Sequence, residues 1–188
     1  MAKDFTREIN FAELVRDVSA WNEWRRQNPE IRPNLRGKDL SDRDLRGANL
    51  KHADLRKANM VGSQLGQCDL SGARLKHADL SGADLSGCAL NKADLGRAAL
   101  MNVNLTGANL SHAKLSRANL IGARLFAANL TGARMVKAKI GIEEARQADL
   151  SSADMRRVRY FPSKTQRDAE EDSVERAVER FLSSRKES

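Results

Sequence analysis

The chain has 188 residues, with 33 lysines and arginines against 25 acids, a net charge of +8, and only 4% aromatic residues. So few rings exclude an ordinary globular core built on bulky side chains. The positive balance favours acidic proteins, nucleic acid or anionic surfaces as partners over basic ones, and no apolar run is long enough to span a membrane.

Residues 1–32 are read as an N-terminal helical cap. The opening MAKDFTREINF is charged and lacks the apolar stretch of a secretory signal, so a cytoplasmic address is expected. Phe11, Leu14, Val15, Val18, Trp21 and Trp24 fall on one helical face, with Asn10 as N-cap and Glu13 three residues on. Pro29 and Pro33 end the helix. A helix with two tryptophans just before a repeat array suits the open end of that array.

Residues 33–162 form the body. Every fifth residue from Leu35 to Ile140 is Leu, Met or Ile, without a slip in phase. Two residues earlier the slot is small, as at Ala48, Ala53, Ala58, Ser63, Cys68 and Ala73, and the slot between is often Asp or Asn. A period of five matches neither a helix nor a flat strand; it demands a backbone path that repeats with every quintet, hence a repeat solenoid. The phase falters at residues 141–147, where Glu143 would occupy an inward slot. An unpaired carboxylate cannot do so cheaply, so a helical turn bulging from the coil is expected there. Cys68 and Cys88 stand in the small slot and read as small buried hydrophobes. If four quintets make one turn they stack, and a disulfide is sterically conceivable, but a reducing compartment favours free thiols.

Residues 163–188 are read as a C-terminal helix, with Thr165 and Asp168 resembling a capping box. Its apolar stripe is Val174, Ala177, Val178, Phe181 and Leu182. The stripe either covers the lower end of the coil or joins two chains as a homodimer.

The motif Ala-(Asp/Asn)-Leu-x-x, seen as ADLSG at 78–82 and 83–87 and ANLTG at 128–132, resembles the pentapeptide-repeat family over roughly residues 33–160. The resemblance implies an all-β solenoid: a right-handed quadrilateral β-helix, four repeats to a coil, with the central Leu and the preceding small residue inward. An N-terminal capping α-helix and a C-terminal α-helix complete the expected fold. Lys38 and Arg43 depart from the pattern by occupying the small slot, so an imperfect first coil is expected.

With four quintets per coil the outward residues sort by side. One side carries Arg36, Arg56, Lys57, Arg74, Lys76, His77, Arg97, Lys114, Arg117, Arg134, Lys137, Arg156 and Arg157, with only Asp54, Asp94 and Asp154 as acids. Stacked like charges repel, which adds weight to a binding role over a merely solvated face. The next side carries Val61, Met101, Ile121, Ile142 and Phe161. Such a file either seats a terminal helix or contacts a partner.

Phosphate loops, dinucleotide fingerprints, HExxH and nucleophile elbows are absent from the sequence. His52, His77 and His112 sit in variable outward slots, too dispersed for a metal. No enzyme, cofactor or metal is therefore expected. The expected role is a binding scaffold whose basic and apolar sides meet a macromolecule, a protein with an acidic surface above all. Two alternatives stand beside it. The resemblance extends to quinolone-resistance proteins, which implies a gyrase or topoisomerase modulator, although the charge has the wrong sign for a DNA mimic. Direct nucleic-acid binding along the basic ladder is the other, against which stacking aromatics and a groove-entering helix are missing.

Overall fold

The computed structural model describes residues 16–162. The C-terminal stripe, and the Asn10, Phe11, Glu13, Leu14 and Val15 part of the N-terminal reading, lie outside the described residues.

Each quintet makes one side of a square coil by two local devices. The Asp or Asn before the central Leu accepts the N–H two residues on, as Asp69 Oδ1 does from Ser71 N at 2.9 Å and Asp84 Oδ1 from Ser86 N at 2.9 Å. This short side-chain loop favours a turn. A backbone bond then closes the corner, as from Ala48 N to Leu45 O at 3.0 Å. From Gly37 to Lys137 the residue ahead of each small slot has φ near +60°, as at Gly47 and Arg97, the signature of a type II turn.

Successive coils are joined by parallel bridges between positions four quintets apart, from Asn34↔Asp54 and Asp39↔Asn59 to Asn129↔Asp149 and Arg134↔Asp154. The Leu N–H donates up the coil, as Leu85 N to Asn104 O at 2.8 Å, and the preceding residue donates back, as Asp84 N to Ser63 O at 2.9 Å. One side widens into three short parallel strands, β1 (Asn119–Leu120), β2 (Lys139–Gly141) and β3 (Arg159–Phe161), in the order β1-β2-β3 and in the same register. Four quintets therefore close one rung, and the phase holds to the end of the described body.

The core is a column of Leu and Ala. Every central residue from Leu35 to Ile140 is at most 1% exposed. Cys68 and Cys88 are free and buried in the same column, and their thiols donate to Leu45 O at 2.9 Å and Leu65 O at 2.7 Å. The neighbouring Cys68 thiol, with burial behind it, pushes Cys88 well above the ordinary thiol range. The irregular first coil is milder than expected. Lys38 and Arg43 are exposed while Leu40 and Leu45 remain fully buried, because the end coil lets long side chains leave the small slot. At the other end Leu150 and Met155 are only half-buried and Tyr160 is 54% exposed.

Helix α1 (Val18–Gln27) lies against the first coil. Its N-cap is Asp17, whose extended backbone (φ −157°, ψ 111°) and side chain, accepting from Ser19 N and Ala20 N, interrupt the single long helix the apolar stripe suggested. Only Val18, Trp21 and Trp24 of that stripe belong to α1. The helix ends before Pro29, as a residue preceding proline disfavours the helical region.

Helix α2 (Ile142–Arg146) is the expected bulge. It replaces one whole quintet without altering the register, since Lys139↔Arg159 and Asn129↔Asp149 both hold. Glu143 stays out of the core and pairs with Arg146. Glu144 Oε1 accepts Gly122 N at 2.6 Å, in the place of the strand carbonyl that α2 displaces.

Candidate functional site: the basic face

The register of four quintets per coil stacks the basic side as sorted from the sequence. The turn position of this side is Lys57, His77, Arg97, Arg117, Lys137 and Arg157 in consecutive coils, all with φ between +58° and +63° and all exposed. This left-handed backbone costs a non-glycine residue about 1 kcal/mol or more. The other three sides place glycine at this position in at least every third coil. At Gly72 and Gly132 the side chain one coil back leans over the glycine: a Cβ would sit 2.5 Å from His52 Nδ1 at the first and 2.6 Å from His112 Nδ1 at the second. On the basic side glycine occurs only at Gly37 among the described turn positions.

The three acids of this face are structural as well as electrostatic. Asp54, Asp94 and Asp154 each accept a backbone N–H within their own turn. Asp54 also pairs with Arg56, Asp94 with Lys76 at 3.4 Å and Asp154 with Arg156 at 2.8 Å. The Arg56 guanidinium lowers the pKa of Asp54, and that of Arg156 holds Asp154 down to about 2. Arg36, Lys57, Arg74, Arg97, Lys114, Arg117, Arg134, Lys137 and Arg157 form no ion pair among the described residues. The uncompensated charge thus concentrates in the middle and later coils.

Two cavities open on that part. The first, of about 400 Å³, is lined by Lys76, His77, Asp94, Gly96, Arg97, Lys114, Ser116, Arg117 and Arg134. It exists because Gly96 and Ser116 stand where neighbouring coils carry Arg56, Lys76 and Val136. The second, of about 450 Å³, is lined by Arg117, Lys137, Lys139, Arg157 and Arg159. Arg117 belongs to both. Lys139 and Arg159 were missed from sequence because they sit in the Asp/Asn slot of the adjacent side; sorting by corner rather than by side would have found them.

The apolar residues of the adjoining side are not brought into one strip. Val61 and Met101 are 38% and 41% exposed, with Ser81 between them. Ile121 and Phe161 are half-buried with Gly141 between them, and Ile142 opens α2. Lys139 Nζ lies 5.9 Å from the Phe161 ring centroid, a cation–π arrangement at the corner of the basic side. Phe126, 68% exposed on a third side, was also missed; an aromatic in an otherwise polar slot was the available signal.

At the opposite end of the rod, α1 supplies side-chain partners for the first coil's open edge. Trp21 Nε1 donates to Asn49 O at 2.9 Å, and Asn22 Oδ1 accepts Asn49 N at 2.8 Å. Buried Arg25 donates to Ile31 O at 2.6 Å and Lys51 O at 3.1 Å. Burial lowers its pKa, and the charge of Asp69 opposes that. Among the described residues no cluster of three or more His, Cys, Asp or Glu is placed to hold a metal, and no helix is long and apolar enough to cross a membrane.

No curated protein matches the chain. Among solved structures, a pentapeptide repeat protein of the Arabidopsis thaliana thylakoid lumen is similar at 35% identity and TM-score 0.51, over 52% of this chain and 68% of that one. The pentapeptide repeat protein Rfr23 of the cyanobacterium Cyanothece 51142 is similar at 24% identity and TM-score 0.49, over 74% and 97%. QnrB1, a plasmid-mediated fluoroquinolone resistance protein, is similar at 17% identity and TM-score 0.47, over 76% and 85%. At the last two TM-scores no role is carried over. The family model for pentapeptide repeats matches residues 34–72, 68–107 and 104–140, more than half of the chain. With its coils closing every four quintets, the chain belongs to the pentapeptide-repeat family, and its body is a right-handed β-helical solenoid.

Proposed function

We infer that the chain is a non-enzymatic binding rod whose basic side docks an acidic protein partner. The observation that carries this is the run from Lys57 to Arg157: six successive coils hold a cation or histidine in a left-handed turn that glycine occupies without strain. Solubility alone does not call for that arrangement, because charge in either neighbouring slot would serve it at no conformational cost. A rigid register fixes the spacing of the cations at about 4.8 Å per coil, so the face is ordered before a partner arrives and less entropy is lost on docking. Helix α1 serves as the N-terminal cap, its Trp21 and Asn22 taking the place of a missing coil.

Lysate capture tests this reading. Replacing Arg56, Arg97 and Arg134 with Glu is expected to abolish recovery of an acidic partner that the unaltered chain retains at low salt and releases at high salt. Unchanged recovery would refute the assignment of the face.

A further inference from the structure

We propose that the groove at the middle of the basic side is a binding site for a compact polyphosphate, a ligand with three or more phosphate groups in a row. This rests on the reading of the basic side as a binding face and names the anion chemistry that one part of it selects. Five cations line the cavity of about 400 Å³: Lys76, Arg97, Lys114, Arg117 and Arg134. One carboxylate, Asp94, offsets them, and it is already engaged by Lys76 Nζ at 3.4 Å and Gly96 N at 3.2 Å. The remaining positive charge exceeds what a single carboxylate or phosphate side chain brings. A chain of phosphates supplies comparable charge in a comparable volume, with several acceptor oxygens for each guanidinium.

The shape of the groove supports a defined ligand over a diffuse attraction. Its floor is Gly96 and Ser116, the two small residues in a file that is otherwise Arg36, Arg56, Lys76, Val136 and Arg156. Gly96 does not need to be glycine for its backbone, since its φ is not positive. A Cβ there would approach Asp94 Oδ1 to 3.2 Å and Lys76 Cε to 3.6 Å. A side chain there would press on Asp94 and Lys76 at the groove wall, so its absence leaves that wall in place and the groove open to the cations.

Calorimetric titration of the full chain with sodium tripolyphosphate tests the proposal, with an octaglutamate peptide as the carboxylate comparison. Tripolyphosphate is expected to bind more tightly than octaglutamate. Gly96→Leu, which fills the floor without changing the formal charge, is expected to weaken tripolyphosphate by about tenfold or more. Ser116→Leu fills the same floor at a second position and is expected to do likewise, with thermal melts confirming that both variants fold. Arg117→Glu is expected to weaken it further, whereas Arg124→Glu, an equal charge change on another side, leaves it within about twofold. Unaltered affinity in both filled variants would overturn the proposal, as would equal losses in Arg117→Glu and Arg124→Glu. Octaglutamate binding as tightly as tripolyphosphate would overturn the phosphate assignment and leave the acidic-protein reading standing. Loss of that reading shows separately, as partner capture that survives reversal of Arg56, Arg97 and Arg134.

Discussion

At the scale of the residue, the turn position ahead of each small slot separates stability from function. Arg117 has φ +63° and lies between the two basic cavities. Glycine there relieves about 1 kcal/mol or more of left-handed strain and gives back about 0.5–1 kcal/mol in unfolded-chain entropy. Arg117→Gly is therefore expected to melt at the same temperature as the parent or slightly above it while losing partner capture. A lower melting temperature would show that the guanidinium contributes to the fold. The acidic turn residues have a different role. Arg46 and Arg156, hydrogen-bonded to Asp44 and Asp154, hold those carboxylates down to about 2. Protons then bind the unfolded chain first, so the contribution of these pairs is fully present above about pH 4. It is lost as pH falls towards about 2. Melting temperature measured across that range should fall, and Asp44→Asn combined with Asp154→Asn should flatten the decline.

At the scale of the element, both described helices stand in for missing β-structure. Trp21 Nε1 and Asn22 Oδ1 meet the carbonyl and N–H of Asn49, and Glu144 Oε1 meets the N–H of Gly122. Backbone groups left unpaired away from water cost about 1–3 kcal/mol. Trp21→Phe removes this donor together with part of a fully buried indole that packs tilted against Trp24 at 5.4 Å, so chemical unfolding is expected to show that cost plus the cost of the cavity left behind. Glu144→Ala is expected to lose about 1–3 kcal/mol in chemical unfolding. Arg146→Ala, which breaks only an exposed pair with Glu143, should lose about 0.5 kcal/mol or less. Equal losses in Glu144→Ala and Arg146→Ala would show that the Gly122 bond is not what holds α2 to the coil. The bulge at 141–147 was legible because Glu143 broke an otherwise strict period. Its partner was not, since Gly122 and Glu144 are joined only once four quintets close a rung. Asp17 was hidden for a different reason: an apolar stripe continues smoothly through a helix break, and one acidic residue among many gives no warning that its side chain caps.

At the scale of the molecule, the body was readable because an unslipped period of five specifies path and interior together. Leu at every fifth residue and Ala two before it are the core, and every inward Leu, Met or Ile up to Ile140 is buried. The basic side was readable for the same reason. What the period could not reveal is depth. The small residues of the file, Gly96 and Ser116, create a groove only when Lys76, Arg97 and Arg134 stack around it, and Arg159 and Lys139 join the charge across a corner that a sort by side divides. The acids on this face also divide it. Asp54, Asp94 and Asp154 compensate Arg56, Lys76 and Arg156 and leave the run between them positive. The proposed docking site, confined to one side of a square rod, has a direct consequence: charge is expected to matter by side and not by amount. The measurement that tests this most directly compares two triple variants of equal charge in the same capture assay. Arg97, Arg117 and Arg134 to Glu alter the basic side, and Arg46, Lys92 and Arg124 to Glu alter the others. Loss of the partner in the first triple with full retention in the second is the predicted result. Equal loss in both, or full retention in both, would contradict a binding face built by the register of the coil.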